Sequence, residues 1–214
     1  STTTGQATSV GGVSMITTDM KKLVNFNSAP WDISATGGTS TTWRIYEGNT
    51  MPLLTSFLTQ TTVTANDETI TYSNSPYNGG NGLTVSVDNG GNLFAVYSGN
   101  SQGAVNAGAY VISALGTYSD QLGYDISYVD GILIVNTAPL SITATDGSKT
   151  YGDTQTYLGS EFTSLGLVNS ETIGGVTLAS SGDVNTASVV GSPYSITASG
   201  ASGGTFDANN YTIS

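Results

Sequence analysis

Tyr124-Asp-Ile-Ser-Tyr-Val129, then Asp130-Gly131, then Ile132-Leu-Ile-Val135: two alternating apolar runs flank an Asp-Gly pair in the middle of the chain. After Asn136-Thr-Ala-Pro139 the sequence resumes as Leu140-Ser-Ile-Thr-Ala-Thr-Asp146. Asp-Gly between such runs is a strong hairpin signal, because a type I′ turn needs positive φ at both central residues. The spacing predicts Val129 opposite Ile132 and Tyr128 opposite Leu133. One face of the hairpin would then carry Tyr124, Ile126, Tyr128, Leu133 and Val135. The hairpin would close one module, and Leu140 would open the next.

Composition supports an all-β chain. Of 214 residues 28 are Gly and 12 are Tyr, and only 9% are charged, against roughly a quarter in ordinary soluble domains. Abundant Thr, Val, Ile and Tyr between Gly and Asn favours strands and turns over helices. The basic residues are Lys21, Lys22, Arg44 and Lys149, and the net charge is −11. No basic patch exists to neutralise phosphates, so nucleic acid and anionic membrane surfaces are poor partners. No apolar run approaches the ~20 residues of a membrane span. The chain begins Ser1-Thr-Thr-Thr without an initiator Met or signal peptide, and reads as a piece of a larger polypeptide.

An internal repeat organises the rest. Thr64, Ala65, Asp67, Thr71 and Tyr72 recur 79 residues later as Thr143, Ala144, Asp146, Thr150 and Tyr151. Gly108-Ala-Tyr-Val-Ile112 matches Gly191-Ser-Pro-Tyr-Ser-Ile196, and Tyr124-Asp-Ile-Ser127 matches Tyr211-Thr-Ile-Ser214. Three anchors in one order make a repeat of roughly 80 residues. The second copy holds no counterpart of Tyr128–Val135. The predicted organisation is a cap over 1–58, a first module over 59–137 and a second over 138–214, the last lacking its final strand. Residues 1–15 read as a lead-in, and Thr17-Thr-Asp19 as the start of a helix of two turns at most. Strands are predicted near 62–66, 69–72, 83–88, 92–97, 109–114, 124–129 and 132–136. In the second copy they fall near 140–145, 148–151, 161–165, 175–179, 193–198 and 210–213. Turns are expected at 78–82, 88–91 and 201–204. Such spacing suits small β-sandwich modules. A helix at 166–172 would make them β-grasp-like instead.

Two resemblances follow from these motifs. Thr17-Thr-Asp-Met20, Trp31-Asp-Ile33, Trp43-Arg-Ile45, Glu47-Gly48 and Met51-Pro-Leu-Leu54 resemble the closing part of the repetitive region in filamentous-haemagglutinin-like exoproteins of two-partner secretion. That likeness implies a β-rich cap at the end of a β-helix. Lys149-Thr-Tyr-Gly-Asp153, Gly166-Leu-Val-Asn169 and Asn209-Asn-Tyr-Thr-Ile213 resemble the MBG and YDG modules of bacterial cell-surface proteins. The first copy departs from the second pattern, reading Ile70-Thr-Tyr-Ser-Asn74, and has no Gly-Leu-Val-Asn. Together the resemblances imply an elongated, monomeric, non-enzymatic stalk of a secreted or surface-attached adhesin, supporting cell adhesion or biofilm formation. Its partners would be neighbouring β modules.

The sequence offers little chemistry. Without His or Cys, the commonest general base and the thiol nucleophile are missing. No spacing suggests a carboxylate pair or a Ser-Lys site, so the chain is read as no enzyme. Calcium needs six to eight oxygen ligands. Asp67 and Asp146, at equivalent module entrances, are candidate ligands, but residues of this kind more often bond a local turn. Trp31, Trp43 and Tyr46 are either a hydrophobic cap or an aromatic platform for surface glycans or host matrix.

Overall fold

The computed structural model describes residues 15–27, 31–87, 96–119 and 122–214. It is mainly β, as the composition leads one to expect, and among the described residues no helix reaches seven residues. The Thr17–Leu23 helix forms only as 3-10 turns at Asp19–Lys21 and Leu23–Asn25. The lead-in over 1–14, the turn at 88–91 and most of the strand at 92–97 lie outside the described residues.

The Trp segment folds as three two-residue strands, β1 (Ile33–Ser34), β2 (Trp43–Arg44) and β3 (Leu53–Leu54), in that order. β1 and β2 are parallel, and β2 and β3 antiparallel. The first repeat copy supplies β4 (Thr59–Ala65), β5 (Glu68–Thr71), β6 (Leu83–Val85), β7 (Val96–Ser98), β8 (Gly108–Leu115), β9 (Tyr124–Val129) and β10 (Gly131–Asn136). The second supplies β11 (Ala138–Ala144), β12 (Phe162–Leu165), β13 (Ile173–Ser180), β14 (Ile196–Gly204) and β15 (Tyr211–Ile213).

The strand pairings reproduce the repeat. In copy 1, β4 lies between β6 and β9, antiparallel to the first and parallel to the second. In copy 2, β11 lies between β12 and β15 with the same orientations. Val63 faces Val85 and Ile142 faces Ser164, so both partners have moved by 79 residues. On the parallel side Thr59 faces Tyr124 and Ala138 faces Tyr211, and here the partner has moved by 87 (211 minus 124). The extra residues are absorbed between β12 and β15.

Period-two alternation explains the cores. Thr61, Val63 and Ala65 point inward along β4, as do Ile112 and Ala114 along β8 and Leu133 and Val135 along β10. The chain forms two compact units. One comprises Ser1–Glu68, Asn78–Gln102 and Tyr110–Leu133, the other Thr69–Tyr77, Gly103–Ala109 and Ile134–Ser214. Ile45, Val63, Ile112 and Ile126 lie in the core of the first, and Leu140, Val176 and Tyr211 in that of the second.

The Asp130-Gly131 hairpin does not form. β9 bonds to β4, while β10 lies between β5 and β8 in a four-stranded sheet of order β5-β10-β8-β7. Neither Asp130 nor Gly131 has the positive φ of a type I′ turn. Glycine is needed at 131 for close approach instead: a Cβ there would lie 2.4 Å from the Ala65 carbonyl oxygen. A hairpin would satisfy one edge of each strand. The observed arrangement pairs all six residues of β9 with β4 and gives β10 a neighbour on both sides. The predicted inward residues Tyr124, Ile126, Leu133 and Val135 are buried, but in two sheets instead of one.

Two further expectations fail locally. No helix forms at 166–172; Asn169 and Ser170 take positive φ and make a turn. The turn at 201–204 is strand, because β14 runs on to Gly204. Thr177 faces Ser199 and Gly175 faces Ser202, so two steps on β13 oppose three on β14. Gly200, at φ +58°, takes up the extra residue as a bulge.

Candidate functional site

The aromatic candidates separate into an exposed pair and a buried residue. The rings of Trp31 and Trp43 lie 5.0 Å apart, and Phe26 meets Trp31 edge-on at 5.2 Å. Asp32 holds the loop between the tryptophans, accepting the Thr42 N–H at 2.8 Å and its hydroxyl at 2.9 Å. Trp31, Asp32, Thr42 and Trp43 line an open depression of about 330 Å³. Trp31 is 40% exposed and Trp43 half-buried, so part of their area is available to a ligand.

Tyr46 is not part of that surface. Its hydroxyl donates to the Tyr124 carbonyl at 2.6 Å and accepts the Ile126 N–H at 3.1 Å. The Arg44 guanidinium lies 4.1 Å above its ring. Burial pushes its phenol pKa up, partly opposed by the Ile126 N–H. Arg44 is itself buried, with Nε 3.2 Å from Asp125 Oδ1. Asp125 Oδ2 accepts the Gly38 N–H at 2.9 Å. A side chain at Gly37 would bring its Cβ within 1.8 Å of the Ile126 carbonyl oxygen. Arg44, Tyr46 and the Gly37-Gly38 turn thus dock the Trp segment on β9.

The calcium candidates are both exposed. Asp67 Oδ1 accepts the Ile132 N–H at 2.8 Å, which makes it a backbone partner for β10. Asp146 lies on the wall of a groove in copy 2. Among the described residues, no three acidic side chains come together to hold a metal ion.

One constellation was not legible in the sequence. Glu171, buried, accepts the Tyr72 hydroxyl at 2.7 Å and, through its other oxygen, the Tyr211 hydroxyl. The two rings meet edge-on at 5.5 Å, and Phe206 packs 6.1 Å from Tyr211. Beside them Asn210 accepts the Ala107 N–H at 2.8 Å and donates to Asn106 at 3.1 Å. Tyr72, Asn106 and Ala107 come from copy 1, and Glu171, Asn210 and Tyr211 from copy 2. Burial raises the Tyr72 phenol to about 12, with Glu171 adding to the shift, and Tyr211 moves the same way. The repeat flagged both tyrosines; Glu171 has no counterpart in copy 1 and carried no signal.

The groove in copy 2 holds about 730 Å³. Asp146, Lys149, Tyr151, Tyr157, Tyr194 and Ile196 are among the residues that line it. Lys149 donates to the carbonyls of Asp153 (2.9 Å) and Val184 (2.8 Å). The predicted strand at 148–151 is a turn, and Tyr151 is 65% exposed.

Comparison with known proteins gives one family match. Residues 140–214 match the model of the MBG domain (YGX type), so copy 2 is similar to an MBG-type surface repeat module. No curated protein and no solved structure matches the chain.

Proposed function

We propose that this chain is a structural spacer in a large secreted or surface-attached bacterial adhesin of the filamentous-haemagglutinin-like kind. It projects an adhesive region and supports cell adhesion or biofilm formation. The observation that carries the reading is the Tyr72–Glu171–Tyr211 constellation, which ties copy 1 to copy 2 through buried hydrogen bonds. The repeated strand register and the MBG match of residues 140–214 support it. The mechanism is mechanical: Tyr72, Asn106 and Ala107 of copy 1 share one compact unit with copy 2, and side-chain hydrogen bonds hold the copies to each other under load. The surface location rests on the same match, since MBG domains are typical of extracellular surface proteins. The partners are neighbouring β modules of the same polypeptide.

The test is a replacement in the parent adhesin. An unrelated all-β spacer of equal length in place of this segment leaves cell adhesion intact if the segment is a spacer. Loss of adhesion with surface display preserved argues for direct binding. That second reading, a carbohydrate- or receptor-binding module, is favoured by one observation, the half-exposed Trp31–Trp43 pair over its depression.

A further inference from the structure

β4 has two neighbours of opposite orientation, and the two respond differently to tension along the chain. Against β6 it runs antiparallel, with Ala65 facing Leu83 and Val63 facing Val85. The chain enters β4 and leaves β6 at the same end of that pair, so tension would open its bonds one after another. Against β9 it runs parallel, with Thr59 facing Tyr124 and Thr64 facing Val129. Here the chain enters at Thr59 and leaves at Val129, at opposite ends. Tension then slides one strand along the other and loads all six residue pairs together, because parallel ladder bonds are evenly spaced. The pair is also reinforced. Val63 and Ile126 have no exposed surface, so water is kept from competing for the hydrogen bonds beside them. The Thr62 and Ser127 hydroxyls meet across the ladder at 3.0 Å, and Ser127 Oγ donates to the Thr61 carbonyl at 3.3 Å. The other edge of β9 is held by Tyr46, whose hydroxyl takes the Tyr124 carbonyl and the Ile126 N–H.

We propose that β4 and β9 form a mechanical clamp, a parallel pair loaded in shear that gives copy 1 its resistance to tension. Copy 2 repeats the geometry within its own sheet. Ala138 faces Tyr211 and Leu140 faces Ile213 in parallel. The Ser214 N–H donates to the Leu140 carbonyl at 2.9 Å, and the Ser214 carbonyl accepts the Ile142 N–H at 3.0 Å. The repeat thus preserves the orientation that shear requires, while the side chains on the paired strands change. The inference rests on the spacer reading for the source of the force and adds which strands bear it. Its test applies the force directly and involves no adhesion, so either can fail alone.

The experiment stretches the full chain between chosen pairs of residues by single-molecule force spectroscopy. The chain contains no Cys, so introduced cysteines are the only tether points. Thr59→Cys with Asp130→Cys places handles at opposite ends of the β4–β9 pair. Thr59→Cys with Leu122→Cys places both at one end; all three positions are exposed. The length released identifies each event with the segment between the handles. The expected result is an unfolding force about twofold or more higher for the opposite-end handles at the same pulling rate, since forced unfolding follows the unfolding rate under load. Equal forces in the two geometries, or a higher force when the pair is peeled from one end, overturn the proposal. Each double variant is first matched to the unmodified chain by its denaturation midpoint. Gln60→Cys, also exposed on β4, replaces Thr59→Cys where that match fails.

Discussion

At the level of single residues, Glu171 concentrates the electrostatics of copy 2. Two phenols donate to one buried carboxylate. Glu171→Ala leaves both hydroxyls without their acceptor and is expected to cost about 2–4 kcal/mol by chemical denaturation. Tyr72→Phe, which removes one bond and keeps the ring packing, costs about 1 kcal/mol. The pH dependence has a definite sign. Tyr72 is raised to about 12, by burial first and then by Glu171, and Tyr157 to about 12, by burial first and then by Asp183. A folded pKa above the unfolded one means that this stability is complete below about pH 10. It is lost as pH rises towards the folded values. A near-UV absorbance titration should show four late-titrating tyrosines, Tyr72 and Tyr157 together with Tyr46 and Tyr211, which are raised in the same direction. Glu161 behaves oppositely. Its carboxylate accepts the N–H groups of Leu158, Gly159 and Ser160, which lower its pKa. Its hold on that loop is present above the ordinary carboxylate range and lost in acid.

At the level of elements, the lesson is the fate of Asp130-Gly131. Alternation located β9 and β10 to within a residue, because inward and outward positions are local properties of a strand. Pairing is not local. Asp-Gly is compatible with a turn and with a strand crossing between sheets, and the carbonyl of Ala65, 66 residues upstream, decides what Gly131 is for. Gly131→Ala therefore meets backbone at 2.4 Å and is expected to destabilise by about 1–3 kcal/mol. A hairpin turn would give the opposite contrast, tolerating Asn at 131 through its positive φ; here Asn destabilises at least as much as Ala. The buried Arg44–Asp125 pair was illegible for the same reason, since its partners are 81 positions apart (125 minus 44). Asp125→Ala strands a buried guanidinium and is expected to cost about 3–5 kcal/mol, read by thermal or chemical unfolding.

At the level of the whole molecule, the repeat was the most legible feature, because two of its anchors lie on the strands whose register the copies share, although Thr150 and Tyr151 fall in a turn. Thr64 and Ala65 recur as Thr143 and Ala144, and those positions pair with β6 and β12 in the same way. The candidate site was less legible. Trp31 and Trp43 come together as two tryptophans flanking a glycine turn suggest. Tyr46 was grouped with them by proximity in sequence, yet its hydroxyl belongs to the docking on β9. The spacer reading makes a claim about that aromatic surface: its rings pack against each other and Phe26 as a cap, and no ligand is required. The most direct measurement is a glycan and host-matrix binding screen on this chain, with and without calcium, alongside Trp43→Ala. The account predicts no saturable binding under either condition. Saturable binding that Trp43→Ala abolishes, while the fold is retained, would contradict it.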